Sequence, residues 1–209
     1  MATINTEKML EQNIAQINIL NQFLINNFSK IFPGLIYKVE NELYIKVNYN
    51  LINKVCFFLH YHTQTLYQQL IDLYGVDYFE RLNRFEICYS LLSLQLNNRL
   101  TVTSSLSDRQ IISTVTNIFP NALWYEREVY DMFGIIFFAN KDLRRILTDY
   151  GFKGHPMRKD FPLTGYIEIR YNDFGKRLRY ERVSLAQEYR IFTFENNWLK
   201  YNINFNSSF

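Results

Sequence analysis

Cysteine, histidine, proline and glycine are all scarce in this chain of 209 residues, which contains 2 Cys, 3 His, 4 Pro and 7 Gly. Two cysteines are too few for a disulfide framework, and a reducing compartment is therefore expected. Cys56 and Cys88 also form no C-x-x-C pair, which argues against a cysteine-ligated iron–sulfur cluster or structural zinc site within the chain.

Sequence motifs for nucleotide binding and for nucleophilic catalysis are absent as well. The chain has no G-x-G-x-x-G, no G-x-x-x-x-G-K-[ST] and no G-x-S-x-G. It also lacks a run of about 18 apolar residues, so no membrane-spanning helix is expected. An enzyme that works alone with its own cofactor is therefore disfavoured.

The first 30 residues do not resemble a targeting signal. They carry Glu7 and Glu11 and no arginine, unlike a mitochondrial transit peptide, and no basic segment is followed by an apolar run. We therefore expect the protein to act in the compartment where it is made.

The composition that remains, 48% hydrophobic and 21% charged, is typical of a globular protein. Hydrophobic periodicity predicts an α+β domain over residues 1–140, with a mixed sheet flanked by helices. Its predicted elements are a helix at 4–30, a hairpin at 35–47, a helix at 51–62, strands in "LIDLYGVDYF", "RFEICYSLLSL" and "RLTVTSSL", and helices at 108–119 and 121–134.

Residues 141–209 have a different character. Five of the seven glycines lie between 134 and 175, and residues 142–182 hold ten Lys/Arg against six Asp/Glu. Periodicity fails here apart from one possible strand at 176–185. A long irregular segment is unusual inside a compact domain, so we predict an extended C-terminal arm that is ordered by contact with a partner.

Two other uses of these residues are open from the sequence. Cys56, His60 and His62 could ligate a metal, but neither a helix nor a strand projects all three together, and the lone His155 in a turn favours a structural role. The basic strip at 142–182, with its aromatics, could bind RNA. The six interleaved acids favour a protein surface instead.

The stretch "WYEREVYDMFG" places charges among large apolar residues on one predicted helix. Arg127 and Asp131 are spaced i,i+4 and are expected to pair. If such a network is partly buried, losing one partner costs roughly 3–5 kcal/mol.

Together with "DLRRILTDYGFKGHPMRKDFPLTGYIEIRY" and "LAQEYRIFTFENNW", this stretch resembles the C or 30-kDa subunit family of respiratory complex I, known in mitochondrial genomes as NADH dehydrogenase subunit nine. The resemblance runs from about Leu70 to Trp198, and the family signature E-R-E-x-x-D falls on Glu126, Arg127, Glu128 and Asp131. In one departure, Asn140-Lys141 stands where family members usually have His-Pro, which leaves the turn geometry open.

The resemblance implies a core structural subunit of the hydrophilic Q-module arm that supports electron transfer from NADH to ubiquinone. It implies no redox centre in this chain, with FMN and iron–sulfur clusters held by other subunits. The implied partners are the 49-kDa subunit and cluster-bearing neighbours, on the matrix side of the mitochondrial inner membrane, with mitochondrial encoding. The residues expected at the partner interface or in the signature are Glu126, Arg127, Glu128, Asp131, Arg144, Arg145, Tyr150, His155, Arg158, Lys159, Asp160, Phe161, Tyr166 and Arg170.

Overall fold

A five-stranded mixed sheet forms the centre of the computed structural model, which describes residues 22–28, 32, 34–39, 42–190 and 192. The strands lie in the order β1–β2–β5–β4–β3, and only the β2–β5 pair is parallel. They are β1 (Gly34–Val39), β2 (Glu42–Val47), β3 (Gln69–Asp77), β4 (Phe85–Ser93) and β5 (Asn98–Leu106).

Two helices contribute to the same hydrophobic core as the sheet, α1 (Ile52–Tyr61) and α2 (Ala122–Phe133). α1 buries Ile52, Val55, Cys56 and Leu59, the spacing of one helical face. Buried and partly exposed residues alternate along β2, as expected for a strand with one face in the core. The predicted α+β class with a mixed sheet is confirmed. Within the described residues, no helix is long and apolar enough to cross a bilayer.

Most of the predicted elements are present. The hairpin at 35–47, the helix at 51–62, the three following strands and the helix at 121–134 are confirmed, although the hairpin turn at 40–41 lies outside the described residues. Of the predicted helix at 4–30, residues 22–28 are helical and include a π-helical turn at Leu24–Phe28, while the remainder lies outside the described residues.

The predicted helix at 108–119 is wrong. The structure has instead a short strand β6 (Ile111–Ser113), paired in parallel with β7 (Ile136–Phe138), followed by turns. β-branched residues dominate this stretch, and they favour strand over helix. The carbonyl of Thr114 also accepts a hydrogen bond from the Asn53 side chain at 2.7 Å, so tertiary contacts use backbone groups that a helix would have bonded internally.

The chain divides into two compact units, residues 1–161 and residues 162–209. The predicted division at 140 lies earlier in the chain, and residues 141–161, hereafter the strap, belong to the first unit. The second unit contains the hairpin of β8 (Ile167–Asn172) and β9 (Arg177–Arg182). β9 confirms the strand proposed at 176–185, whereas β8 was not predicted.

Candidate functional site

The carboxylate of Asp131, near the end of α2, holds the strap in place. Asp131 is fully buried, and its Oδ2 accepts hydrogen bonds from the backbone N–H groups of residues 146, 147 and 148 at 2.8–3.2 Å. Oδ1 accepts from the Thr148 hydroxyl at 2.6 Å and from Arg145 Nη1 at 2.9 Å. Burial alone would raise the pKa of Asp131, but these hydrogen bonds outweigh it and lower the pKa to about 2.

Glu126 is buried on the same helix without a cation. Its Oε1 accepts from the Val115 N–H at 2.8 Å, and its Oε2 accepts from the Thr114 hydroxyl at 2.7 Å and the Asn140 amide at 2.8 Å. Burial raises the pKa of Glu126, and these hydrogen bonds partly oppose that rise. Asn140 also accepts from the Asp142 N–H at 3.0 Å, so its side chain supplies the turn where the family usually has His-Pro.

Arg127 does not pair with Asp131, and that prediction is wrong. Its Nε donates to the carbonyl of Arg144 at 3.2 Å, and its guanidinium lies 4.7 Å from the ring centroid of Trp124. The nearest carboxylate, that of Asp142, is 3.9 Å away. Helical spacing alone missed this arrangement because the strap supplies partners that are absent from the helix itself. Arg127 thereby fixes the start of the strap, as Asp131 fixes its middle.

The C-terminal end of α2 is closed by Gly134 and two strap residues. Gly134 adopts a left-handed φ of 79° and donates to the Tyr130 carbonyl. His155 Nδ1 lies 3.0 Å from the Asp131 carbonyl oxygen, and Arg158 Nε donates to the Phe133 carbonyl at 2.6 Å. Arg158 also pairs with Asp108 at 3.1 Å. The last carbonyls of the helix thus receive donors from the strap.

Arg84 joins the end of the strap to the sheet. Its guanidinium donates two hydrogen bonds to Asp77, both at 2.8 Å, and two to Asp160 at 2.8 and 3.2 Å. The Lys159 N–H donates to the same Asp77 carboxylate at 2.8 Å. Hydrogen bonding from Arg84 lowers the pKa of both Asp77 and Asp160. Sequence reasoning missed Asp77 and Arg84, since Arg84 is 76 positions from Asp160 and no motif links them.

The predicted interface residues therefore fall into two groups. Glu126, Arg127, Asp131, Arg145, His155, Arg158 and the Lys159 backbone N–H are used within the first unit, and Asp160 pairs with Arg84 there; Phe161, partly buried, lies against Phe152. Glu128, Arg144 and Tyr150 of the first unit, and Tyr166 and Arg170 of the second, have exposed side chains. Contact of these residues with a partner stays a prediction.

The arrangement defines a class of protein, an α+β domain with an ordered strap and a separate, largely exposed hairpin. The family model for the respiratory-chain NADH dehydrogenase 30 Kd subunit matches residues 45–167. The chain belongs to this family.

Curated relatives extend the match. A bacterial relative, the NADH-quinone oxidoreductase chain of Novosphingobium aromaticivorans that is designated by the letter C, is 59% identical over 132 residues, which is 63% of this chain and 43% of that protein. NADH dehydrogenase [ubiquinone] iron-sulfur protein 3 of Oryza sativa subsp. japonica is 47% identical over 184 residues, 85% of this chain and 96% of that protein.

One solved structure has a related fold. A chain of the membrane-bound sulfane sulfur reductase, an archaeal respiratory membrane complex, aligns with a TM-score of 0.57 and 24% identity, covering 70% of this chain and 85% of its own length. At this identity the likeness concerns the fold alone.

The alternatives receive no support. The comparisons contain nothing that favours RNA binding, and within the basic strip Arg145 and Arg158 are paired with Asp131 and Asp108 of the same chain. No group of three or more His, Cys, Asp or Glu among the described residues could hold a metal ion. Cys56, which would belong to the metal site considered above, lies in the hydrophobic core, and burial raises the pKa of its thiol to about 12.

Proposed function

We propose that this chain is a core structural subunit of the hydrophilic Q-module arm of a proton-translocating NADH:ubiquinone oxidoreductase, and that it performs no chemistry itself. Family membership carries the proposal. The geometry supports it, because the charged residues of the signature hold the strap against its own domain and do not converge on an open cleft.

The redox centres of such an enzyme, FMN and the iron–sulfur clusters, belong on this proposal to other subunits. A cysteine-ligated cluster requires about four thiolates, and this chain has two cysteines. Burial raises the pKa of Cys56 to about 12 and that of Cys88 to about 11, so both are held as neutral thiols.

The partners on this proposal are the 49-kDa subunit and the neighbouring cluster-bearing subunits. Support comes from the second unit, whose large apolar side chains are at least half exposed. A two-stranded hairpin alone is marginally stable, and contiguous exposed apolar surface marks protein contacts. The exposed set is Leu163, Tyr166, Ile167, Ile169, Tyr171, Phe174, Leu178 and Tyr180.

The location on this proposal is the matrix face of the mitochondrial inner membrane, reached through the complex. Plant relatives named NADH dehydrogenase [ubiquinone] iron-sulfur protein 3 favour a mitochondrial respiratory complex. The A+T-rich residue usage favours synthesis from the organelle genome.

Native electrophoresis of membranes solubilised in mild detergent tests the proposal. The chain is expected to migrate with a large particle that oxidises NADH in the gel. Migration as a small free protein, or with ribosomal particles, would overturn it.

A further inference from the structure

The β8–β9 hairpin has two faces of opposite character, fixed by its register. Ile169 pairs with Tyr180 and Tyr171 pairs with Leu178, so one face is apolar. The other face carries three cross-strand rows, Glu168 with Glu181, Arg170 with Arg179, and Asn172 with Arg177.

Two of the three rows on the polar face set like charges directly opposite each other. Such a pair destabilises a sheet, whereas opposite charges would stabilise it. The diagonal ion pair of Arg170 with Glu181 is long, at 3.7 Å, and Arg170 is 64% exposed in its side chain. Within the described residues, no carboxylate lies within ion-pairing distance of Arg179 or cation within that distance of Glu168.

A face with this charge order is poorly suited to water or to self-pairing, and well suited to a complementary surface. Two adjacent guanidinium groups can each present a planar pair of donors to carboxylates. The apolar side of the same hairpin requires separate cover, which the proposed neighbours in the complex provide.

We infer that Arg170 and Arg179 form a paired guanidinium site that binds one or more carboxylates of a neighbouring subunit, so that the hairpin is inserted between two protein surfaces. The inference rests on the proposed function and specifies the chemistry of the partner at this face. The apolar face packs on one surface, and the Arg170–Arg179 row binds an acidic patch on the other.

Zero-length cross-linking in the intact complex tests the inference directly. Arg179→Lys places an amine at the site, and a carbodiimide then joins that amine to any carboxylate in contact with it. The matched control is Arg182→Lys, which lies opposite Ile167 on the apolar face. Mass spectrometry is expected to find the amine introduced at position 179 joined to an Asp or Glu of another subunit, with no such product at position 182. Joining only to this chain, or to nothing, would overturn the inference.

A second measurement separates binding from folding. The double variant Arg170→Gln/Arg179→Gln is expected to dissociate from the complex roughly tenfold faster in rising salt, while the control Arg177→Gln/Arg182→Gln, with the same loss of charge, changes little. The isolated double variant is expected to melt no earlier than the wild type, because a repulsive row has been removed. Equal dissociation of the two double variants would contradict the site. Absence of the wild-type chain from the complex would instead contradict the proposed function.

Discussion

Asp131 shows how much of the first unit depends on a single side chain. Asp131→Asn keeps the volume but places an amide where two oxygens accept five hydrogen bonds. We expect a loss of about 3 kcal/mol in the free energy of unfolding, since a buried donor set is left without its acceptor. Urea denaturation of the isolated protein measures it. Glu128→Gln, an exposed signature carboxylate on the same helix, is the control and should change stability by less than about 0.5 kcal/mol.

The same carboxylate predicts a pH dependence. The pKa of Asp131 in the folded protein, about 2, lies below its ordinary value of 3.8. Its stabilising contribution is therefore complete above the ordinary value and is lost as the pH falls towards 2. The free energy of unfolding of the wild type should decline over this window. In Asp131→Asn the decline should be shallower, and an unchanged slope would show that Asp131 is not a dominant titrating group.

At the scale of the element, the end of α2 requires glycine at position 134 for two reasons. The backbone is left-handed there, and an added Cβ would lie 2.6 Å from His155 Nε2 and 2.8 Å from Arg158 Nη2. Gly134→Ala should lower the unfolding free energy by about 3 kcal/mol. Gly151→Ala, at a similar φ of 72° with no atom within 4 Å, should lower it by only about 1–2 kcal/mol. Equal costs, measured by denaturation, would exclude a steric role for the strap.

The elements that could be predicted from sequence are those with local signals. Alternation identified β1 and β2, and Gly134 marked the end of α2. β6 could not be predicted, because Ile111–Ser113 becomes a strand only through pairing with Ile136–Phe138. The site followed the same rule. The signature located Glu126, Arg127 and Asp131, but Arg127 and Asp131 find their partners in the strap, and Arg84 meets Asp160 across 76 positions.

At the scale of the whole molecule, the two units predict different outcomes for two truncations. A chain ending at Phe161 retains the strap and should keep a cooperative thermal transition, yet it should fail to enter the NADH-oxidising particle because it lacks the exposed hairpin. A chain ending at Asn140 buries Asp131 without its donors and should not fold cooperatively. Calorimetry and native electrophoresis distinguish these cases. Assembly of the chain that ends at Phe161 would show that the hairpin is dispensable.

The attachment of α2 to residues that follow it in the sequence also affects the order of events during synthesis. The ribosome delivers α2 before residues 146–148, so the carboxylate of Asp131 lacks its backbone donors until they emerge. Asp77 likewise waits for the Lys159 N–H. The nascent chain therefore holds unpaired carboxylates on its unfinished domain, and chaperones and the protein-quality machinery meet it in that form. Completion of the first unit is timed by the translation of the strap, and only a finished unit is ready for its partners.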